Sequence, residues 1–576
     1  MTKHRHIFFR LFLRYFTLIN SGLKKLLLIY ITCIGFFSVK AQNLHLRIEG
    51  RDAMETKVID SIPYSKTHQN AKSVSDEATL LSATLLKRGY LENREMARIK
   101  TNDSTFVYTF SVGEKTRHLY IYTSKLSPEE KELLNIGTDT LMMQVEEAEP
   151  FMAGSIALLE RKGYSLSTLQ LKDYEKKGST LTARLELKTE KQRIFDDIVI
   201  EGYPKFPEGI RRNIARQYKK KTFNQENLQR IYNDFNALRF VTQVRYPEIL
   251  FKKDSTKVYV YLQKAKPNSF DGFIGFSNDD ESKMIFNGYL DLNLNNILNS
   301  GEKFTLFWKS DGNKQTTFNV ATELPYMFRS PLGIKAGLRI FKQDSTFQNT
   351  VTDVNLGYYF SYNSKAFLGY QRTQSVDIQN SNTITLSDYN NRFYTASYEY
   401  TGFNIDDFIF PEKTILLLKG GTGKREGSTG NSNQYFIQAN AAHNFYLNKK
   451  NIINLKSHSY YLKSDTYIIN ELYRFGGINS IRGFNENSLQ ANLYTALMGE
   501  YRYILSPGLY AHSITDYGYF RDEATDTDDY LTGLGFGIGL FTKNGLFNIV
   551  YANGTAKGQQ IRLSNSIVHI SFKTTF

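Results

Sequence analysis

The chain is predicted to carry three small α+β repeats followed by a transmembrane antiparallel β-barrel of about sixteen strands. Three observations predict this. The 576 residues include 39 Tyr and 41 Phe, so aromatics reach 14 %, yet the hydrophobic fraction is only 41 %. A barrel reconciles the two figures, because its strands alternate lipid-facing apolar and lumen-facing polar residues and its aromatics form girdles at both interfaces. The second observation is a Gly-aromatic pair that recurs at a near-constant interval in the N-terminal half. The third is a series of alternating segments of about ten residues that fills the remainder.

The first segment, 1–41, reads as an export signal. Lys3, Arg5, Arg10, Arg14, Lys24 and Lys25 come with no acid, and Leu26 to Val39 is uncharged and apolar. Val39-Lys40-Ala41 offers small residues at both cleavage positions, so processing after Ala41 is expected. Cys33, the one cysteine, lies inside the apolar run, which leaves the processed chain without a disulfide or a cysteine metal site. Losing the seven basic residues of the signal lowers the formal charge from +15 to +8. No basic stripe interleaved with stacking aromatics follows, so nucleic acid is not an expected partner. After residue 41 no run of about 18 uncharged apolar residues occurs, which excludes spanning helices there.

Next come the repeats. Lys87-Arg88-Gly89-Tyr90 and Arg161-Lys162-Gly163-Tyr164 each end a helical stretch and lie 74 residues apart. A variant, Ala237-Leu238-Arg239-Phe240, brings its aromatic 76 residues after Tyr164. The third copy spells out the order of elements: strand Asp197 to Gly202, helices Pro207 to Lys219 and Gln225 to Leu238, then strands Val241 to Tyr246 and Lys257 to Gln263. Strand, helix, helix, strand, strand resembles the POTRA (polypeptide-transport-associated) domain, and copies are assigned to 43–116, 117–191 and 192–265. A three-stranded sheet covered on one face by two helices leaves an open edge, whose free amides and carbonyls can pair with an extended client chain.

The barrel is assigned to 266–576. Strand starts are expected near Phe270, Met284, Gly301, Gln315, Gly333, Val351, Lys365, Asn391, Glu412, Asn433, Lys450, Ala491, Gly508, Gly533, Gly545 and Ser566, with about 9 to 11 residues in each. The chain ends His569-Ile570-Ser571-Phe572-Lys573-Thr574-Thr575-Phe576, an alternating strand closed by an aromatic, which resembles the signal by which outer-membrane barrels are recognised for insertion.

Between the eleventh and twelfth segments lies Arg474-Phe475-Gly476-Gly477-Ile478-Asn479-Ser480-Ile481-Arg482-Gly483-Phe484, on the sixth long loop. This run resembles the sixth-loop motif of the BamA/TamA superfamily of outer-membrane assembly and translocation barrels, and three repeats ahead of sixteen strands are closest in layout to TamA. The resemblance implies that the motif residues Ile481, Arg482, Gly483 and Phe484 fold back into the lumen. It also implies that Arg482 pairs with acids on strands twelve and thirteen. The matching positions are Glu500, in Gly499-Glu500-Tyr501-Arg502, and Asp516, in Ile514-Thr515-Asp516-Tyr517-Gly518.

The function expected is capture of client chains by the repeats and their insertion through a lateral seam between the first and last strands, involving Phe270, Gly272, Gly275, Phe572 and Phe576. Expected partners are unfolded outer-membrane or secreted proteins, a periplasm-spanning partner protein and outer-membrane lipid. The N-terminal repeats would stand in the periplasm. No assembly of nucleophile, base and oxyanion hole is found and the nine His have no ligand spacing, so neither enzymatic activity, cofactor nor metal is expected. A two-partner secretion transporter is one alternative, which would usually carry two repeats and a plug helix. A passive porin or adhesin is another, and it predicts neither the repeats nor the Arg482 motif.

Overall fold

A computed structural model describes residues 43–278, 284–311, 315–381, 383–404, 406–428, 430–542, 545–559 and 566–575. The expected export signal and Phe576 lie outside them. The described chain divides into two compact bodies, one holding the first two α/β units and the other the third unit with the barrel.

In the first unit the elements are β1 (Leu44–Gly50), α1 (Ala53–Asp60), β2 (Thr67–His68), α2 (Ala71–Lys87), β3 (Arg94–Lys100) and β4 (Thr105–Ser111). The second has β5 (His118–Tyr122), α3 (Pro128–Leu134), β6 (Thr140–Gln144), α4 (Ala148–Arg161), β7 (Thr168–Lys177) and β8 (Thr180–Lys188). The sheets run β2-β1-β4-β3 and β6-β5-β8-β7. Each therefore has four strands where three were expected, because the chain between the two helices returns to pair with the first strand. That extra strand covers the free side of β1 and β5, so the sheet edges are β2 and β3 in the first unit and β6 and β7 in the second.

The third unit comprises β9 (Asp197–Glu201), α5 (Glu208–Tyr218), α6 (Gln225–Asn236), β10 (Val241–Gln243), β11 (Glu248–Phe251) and β12 (Thr256–Lys264). The expected strand Val241 to Tyr246 is broken: β10 and β11 pair separately with β12, on either side of the turn at Tyr246-Pro247. Asn224 caps α6, its side chain accepting from the Asn227 amide at 2.8 Å, and the apolar stripe Leu228, Ile231 and Phe235 is buried. The recurring Gly-aromatic pair has a backbone cause. Gly89 and Gly163 follow their helices with φ of 89° and 90°, and Arg239 takes the same left-handed turn at 62° in the third copy.

This third unit shares a core with the barrel. Ile210 and Ile214 of α5 belong to the buried cluster that includes Tyr326, Tyr359 and Phe367 of the barrel. Tyr203 donates to Asn299 Oδ1 at 3.1 Å and accepts from Asn296 Nδ2 at 3.0 Å. Asn213 and Gln217 donate to the Ser330 and Phe360 carbonyls at 3.1 and 3.0 Å. Three successive hairpin turns of the barrel are thus tied to one unit.

The barrel strands are β13 (Ser269–Asn278), β14 (Met284–Asn295), β15 (Lys303–Asp311), β16 (Gln315–Leu324), β17 (Leu332–Gln343), β18 (Phe347–Ser361), β19 (Ser364–Asp377), β20 (Tyr389–Phe403), β21 (Glu412–Gly427), β22 (Ser432–Tyr446) and β23 (Asn451–Lys463). After a hairpin of β24 (Tyr473–Phe475) and β25 (Leu489–Ala491) they continue as β26 (Leu493–Ser506), β27 (Leu509–Asp522), β28 (Thr527–Thr542), β29 (Gly545–Ala556) and β30 (Ser566–Thr575). Leaving out the β24-β25 hairpin, sixteen antiparallel strands close on themselves, β30 against β13. Their lengths run from 9 residues in β15 to 16 in β21 and β28; β13, β15, β16 and β30 fall in the expected range and the others exceed it. Alternation is plain in β18, where Leu356, Tyr358 and Phe360 are exposed on the outer face while Asn355 and Tyr359 are buried inside. No helix among the described residues is long and apolar enough to cross a membrane.

Candidate functional site

Residues 464–492 join β23 to β26 and form the sixth loop on the side of the barrel remote from the third unit. The loop turns into the lumen. Gly476 and Gly477 adopt φ of 105° and 96°, and a Cβ on Gly476 would lie 2.5 Å from the Asn485 carbonyl, so the loop folds on itself only with glycine there. Its inner layer is aromatic: Tyr473 stacks on Tyr460 of β23 at 4.6 Å and Phe475 on Tyr494 of β26 at 4.0 Å between centroids. Ile481 is fully buried, against Gly518 of β27.

Arg482 then meets both of its expected partners. Its Nε donates to Asp516 Oδ2 at 2.8 Å and its Nη2 to Oδ1 at 2.5 Å, a bidentate pair, and its own amide adds a third bond to Oδ2 at 2.9 Å. Nη1 donates to Glu500 Oε1. Arg482 is 4 % exposed, Glu500 8 % and Asp516 0 %, so the charges lie out of reach of bulk water and depend on each other. The loop backbone is pressed onto the wall beyond: a Cβ on Gly483 (φ 88°) would fall 2.2 Å from the Gly554 amide on β29, and one on Gly533 of β28 would meet the Arg482 carbonyl at 2.4 Å. Phe484, the last motif residue, reaches the same Gly554.

The sequence reading missed how the cluster is balanced. Arg502 binds Glu500 Oε2 at 2.5 Å, donates to Asn444 Oδ1 at 3.1 Å and lies 4.1 Å from the Phe410 ring centroid, while Lys456 Nζ is 3.9 Å from Glu500. Three cations and two carboxylates therefore form one network spanning β23, β26, β27 and the loop. A signal was present, since Glu500 and Arg502 stand two apart on one strand and so share its lumenal face. A second buried pair was also missed. Arg425, at the end of β21, binds Glu471 in the loop, and Gln434 of β22 donates to the other carboxylate oxygen at 2.7 Å. The two anchors hold the loop at both of its limbs. Arg474, by contrast, lies over the rings of Phe341 and Phe347 at 5.8 and 5.4 Å.

The seam differs from every other strand junction. Among the described residues β13 and β30 pair only through Ser269 with Thr575 and Phe270 with Thr574, although each strand has ten residues. The next junction, β14 with β15, is paired from Asn287 with Asp311 through Asn295 with Lys303. Phe270 and Phe572 are exposed on the outer face. Gly272 takes φ of 158°, and a Cβ there would meet the Tyr289 carbonyl at 2.5 Å; Gly275 pairs with Asn287. At the paired end of the seam a chamber of about 770 Å³ opens into the lumen. Its walls include Lys365 bound to Glu323 at 2.5 Å and Lys335 bound to Glu399 at 2.6 Å.

No family model matches the chain, and no curated protein matches it. Among solved structures it is similar to BamA from Haemophilus ducreyi lacking POTRA domains 1-3, with 14 % identity, 79 % of this chain and 98 % of that chain covered, and a TM-score of 0.47. It is also similar to CdiB from Escherichia coli, at 13 % identity, 87 % and 97 % coverage and a TM-score of 0.49. The crystal structure of Haemophilus influenzae BamA POTRA3-5 overlaps 39 % of this chain and 98 % of its own, at 13 % identity and a TM-score of 0.27.

Proposed function

We propose that this chain is an outer-membrane assembly or translocation factor of the BamA/TamA superfamily, which takes client chains from the periplasm and passes them through the seam between β13 and β30. The supporting observation is that seam. A sheet closes into a barrel to remove its edges, and a passive pore gains nothing from leaving one junction mostly unpaired. Here Asp271 to Asn278 pair with β14 on one side, and their β30-facing edge can template an incoming strand by ordinary ladder hydrogen bonds, with little dependence on client sequence. The open edges of β3 and β7 supply the same chemistry upstream, β3 with Met96 and Ile99 exposed. The lumen is crossed by the Arg482 loop, which disfavours a free aqueous channel. No covalent step is needed, and the energy comes from strand pairing and burial of the client in lipid.

Depletion of the protein followed by quantitative proteomics of the outer membrane tests the reading. Loss of several unrelated barrel or surface proteins is the expected result. Loss of a single secreted partner would identify a secretion transporter instead, and an unchanged membrane would leave a passive pore or adhesin.

A further inference from the structure

The sixth loop does more than pack against the wall that holds Arg482. Gly483 touches β29, where a Cβ on Gly554 would lie 2.5 Å from the Gly483 carbonyl. Three residues later Glu486 binds Lys309 Nζ of β15 at 2.8 Å, and the Asn487 carbonyl accepts from Gln315 Nε2 of β16 at 3.5 Å. In the closed barrel β29 and β15 are separated by β30, β13 and β14. Four strand spacings amount to about 19 Å, of which three extended residues cover at most about 11 Å. The long side chains of Lys309 and Glu486 must supply the remainder. The segment Gly483-Phe484-Asn485-Glu486 is therefore drawn across the inner face of the seam with little slack, and His569 of β30 lies within electrostatic range of both latch residues.

The two ends of this span are unlike. On the β26–β29 side the anchor is the buried Arg482 network. On the β15–β16 side it is an ion pair whose side chains are 30 % and 29 % exposed, solvated and easily broken, with the long Gln315 bond to the Asn487 carbonyl beside it. We propose that Lys309 and Glu486 are positioning residues for the seam: their ion pair latches the loop as a strap over the β13–β30 junction, and release of the latch permits lateral opening while Arg482 stays anchored. This rests on the seam being the clients' route and adds to it the device that keeps the gate shut.

The test is hydrogen exchange on the full-length protein in lipid bilayers with no client present, comparing Lys309→Gln, Glu486→Gln and the charge reversal Lys309→Glu with Glu486→Lys. An exposed pair governs an equilibrium by about two- to fivefold. Each single variant is expected to speed exchange at the paired end of the seam, Ser269–Phe270 and Thr574–Thr575, by that factor, leaving β26 unchanged, and the reversal to restore the wild-type rate. As a second measurement, oxidising Lys309→Cys with Glu486→Cys is expected to slow seam exchange below wild type. Unchanged seam exchange in both single variants, or a reversal as fast as either, would overturn the proposal. Because no client takes part, a seam that responds in a protein whose depletion spares the outer membrane would keep the strap and remove only the assembly role.

Discussion

Arg482→Ala removes a guanidinium from between two buried carboxylates. Asp516, fully buried, loses both side-chain donors and keeps only the residue 482 amide; Glu500 keeps Arg502 at 2.5 Å. Breaking such a pair costs about 3 to 5 kcal/mol, because a desolvated charge is left without its partner. Glu500's remaining partner puts this case near the lower figure, about 3 kcal/mol. Arg474→Ala is the matched control, eight residues earlier in the same loop. It lies over the two Phe rings, contacts worth about 0.5 to 2 kcal/mol, and no carboxylate forms an ion pair with it among the described residues. Urea unfolding of the barrel, followed by the gel mobility of the folded form, should give a lower midpoint for Arg482→Ala than for Arg474→Ala, with a gap of at least about 1 kcal/mol after multiplication by the slope. Arg482→Lys should fall between them, keeping the charge and losing the two-pronged geometry. Coincident midpoints for the two alanine variants would refute the reasoning, since they would mean that the buried network contributes no more than a ring contact.

Ion pairs elsewhere give two further expected outcomes. Glu471→Gln strands Arg425, both groups being 2 % exposed or less, and should cost about 3 kcal/mol or more, whereas Glu426→Gln, from a half-exposed pair with Arg392, should cost less than about 1 kcal/mol in the same urea assay. In the third unit, hydrogen bonds from Arg211, with Arg212 assisting, hold the Glu208 carboxyl down at about 2 against an ordinary 4.5. Its ionised form therefore stabilises the fold above pH 4.5, and that contribution is lost as pH falls through about 2. Glu208 is partly exposed, so Glu208→Gln should cost less than about 1 kcal/mol at pH 7, and the difference from wild type should shrink steadily between pH 4.5 and 2.

All sixteen barrel strands were legible because period-two alternation persists wherever one face meets lipid and the other the lumen. The poorest starts have a common cause. β28 begins at Thr527, well before Gly533, and β18 at Phe347, before Val351. The early residues, Thr527-Asp528-Asp529 in β28, stand on a stretch where both faces are polar, so no contrast marks them as strand. Likewise β2 is two residues long and carries no periodicity, which hid the fourth strand of the first unit. The Arg482 site was legible as a motif with its acids, and Arg502 could have been added from its spacing to Glu500. Arg425 and Glu471 lie 46 residues apart, and only the register of the closed sheet brings them together. The short pairing of the seam was equally hidden, because strand lengths say nothing about how many residues two strands share.

The most direct test of the account is a disulfide placed across the seam. Phe270 and Thr574 are register partners on β13 and β30, so Phe270→Cys with Thr574→Cys can be cross-linked there. With the protein reconstituted in lipid vesicles and offered an unfolded outer-membrane barrel, insertion of the client should fall to the protein-free rate when the cysteines are oxidised and return on reduction. Equal insertion in the oxidised and reduced forms, both above the protein-free rate, would contradict the claim that clients pass through this seam.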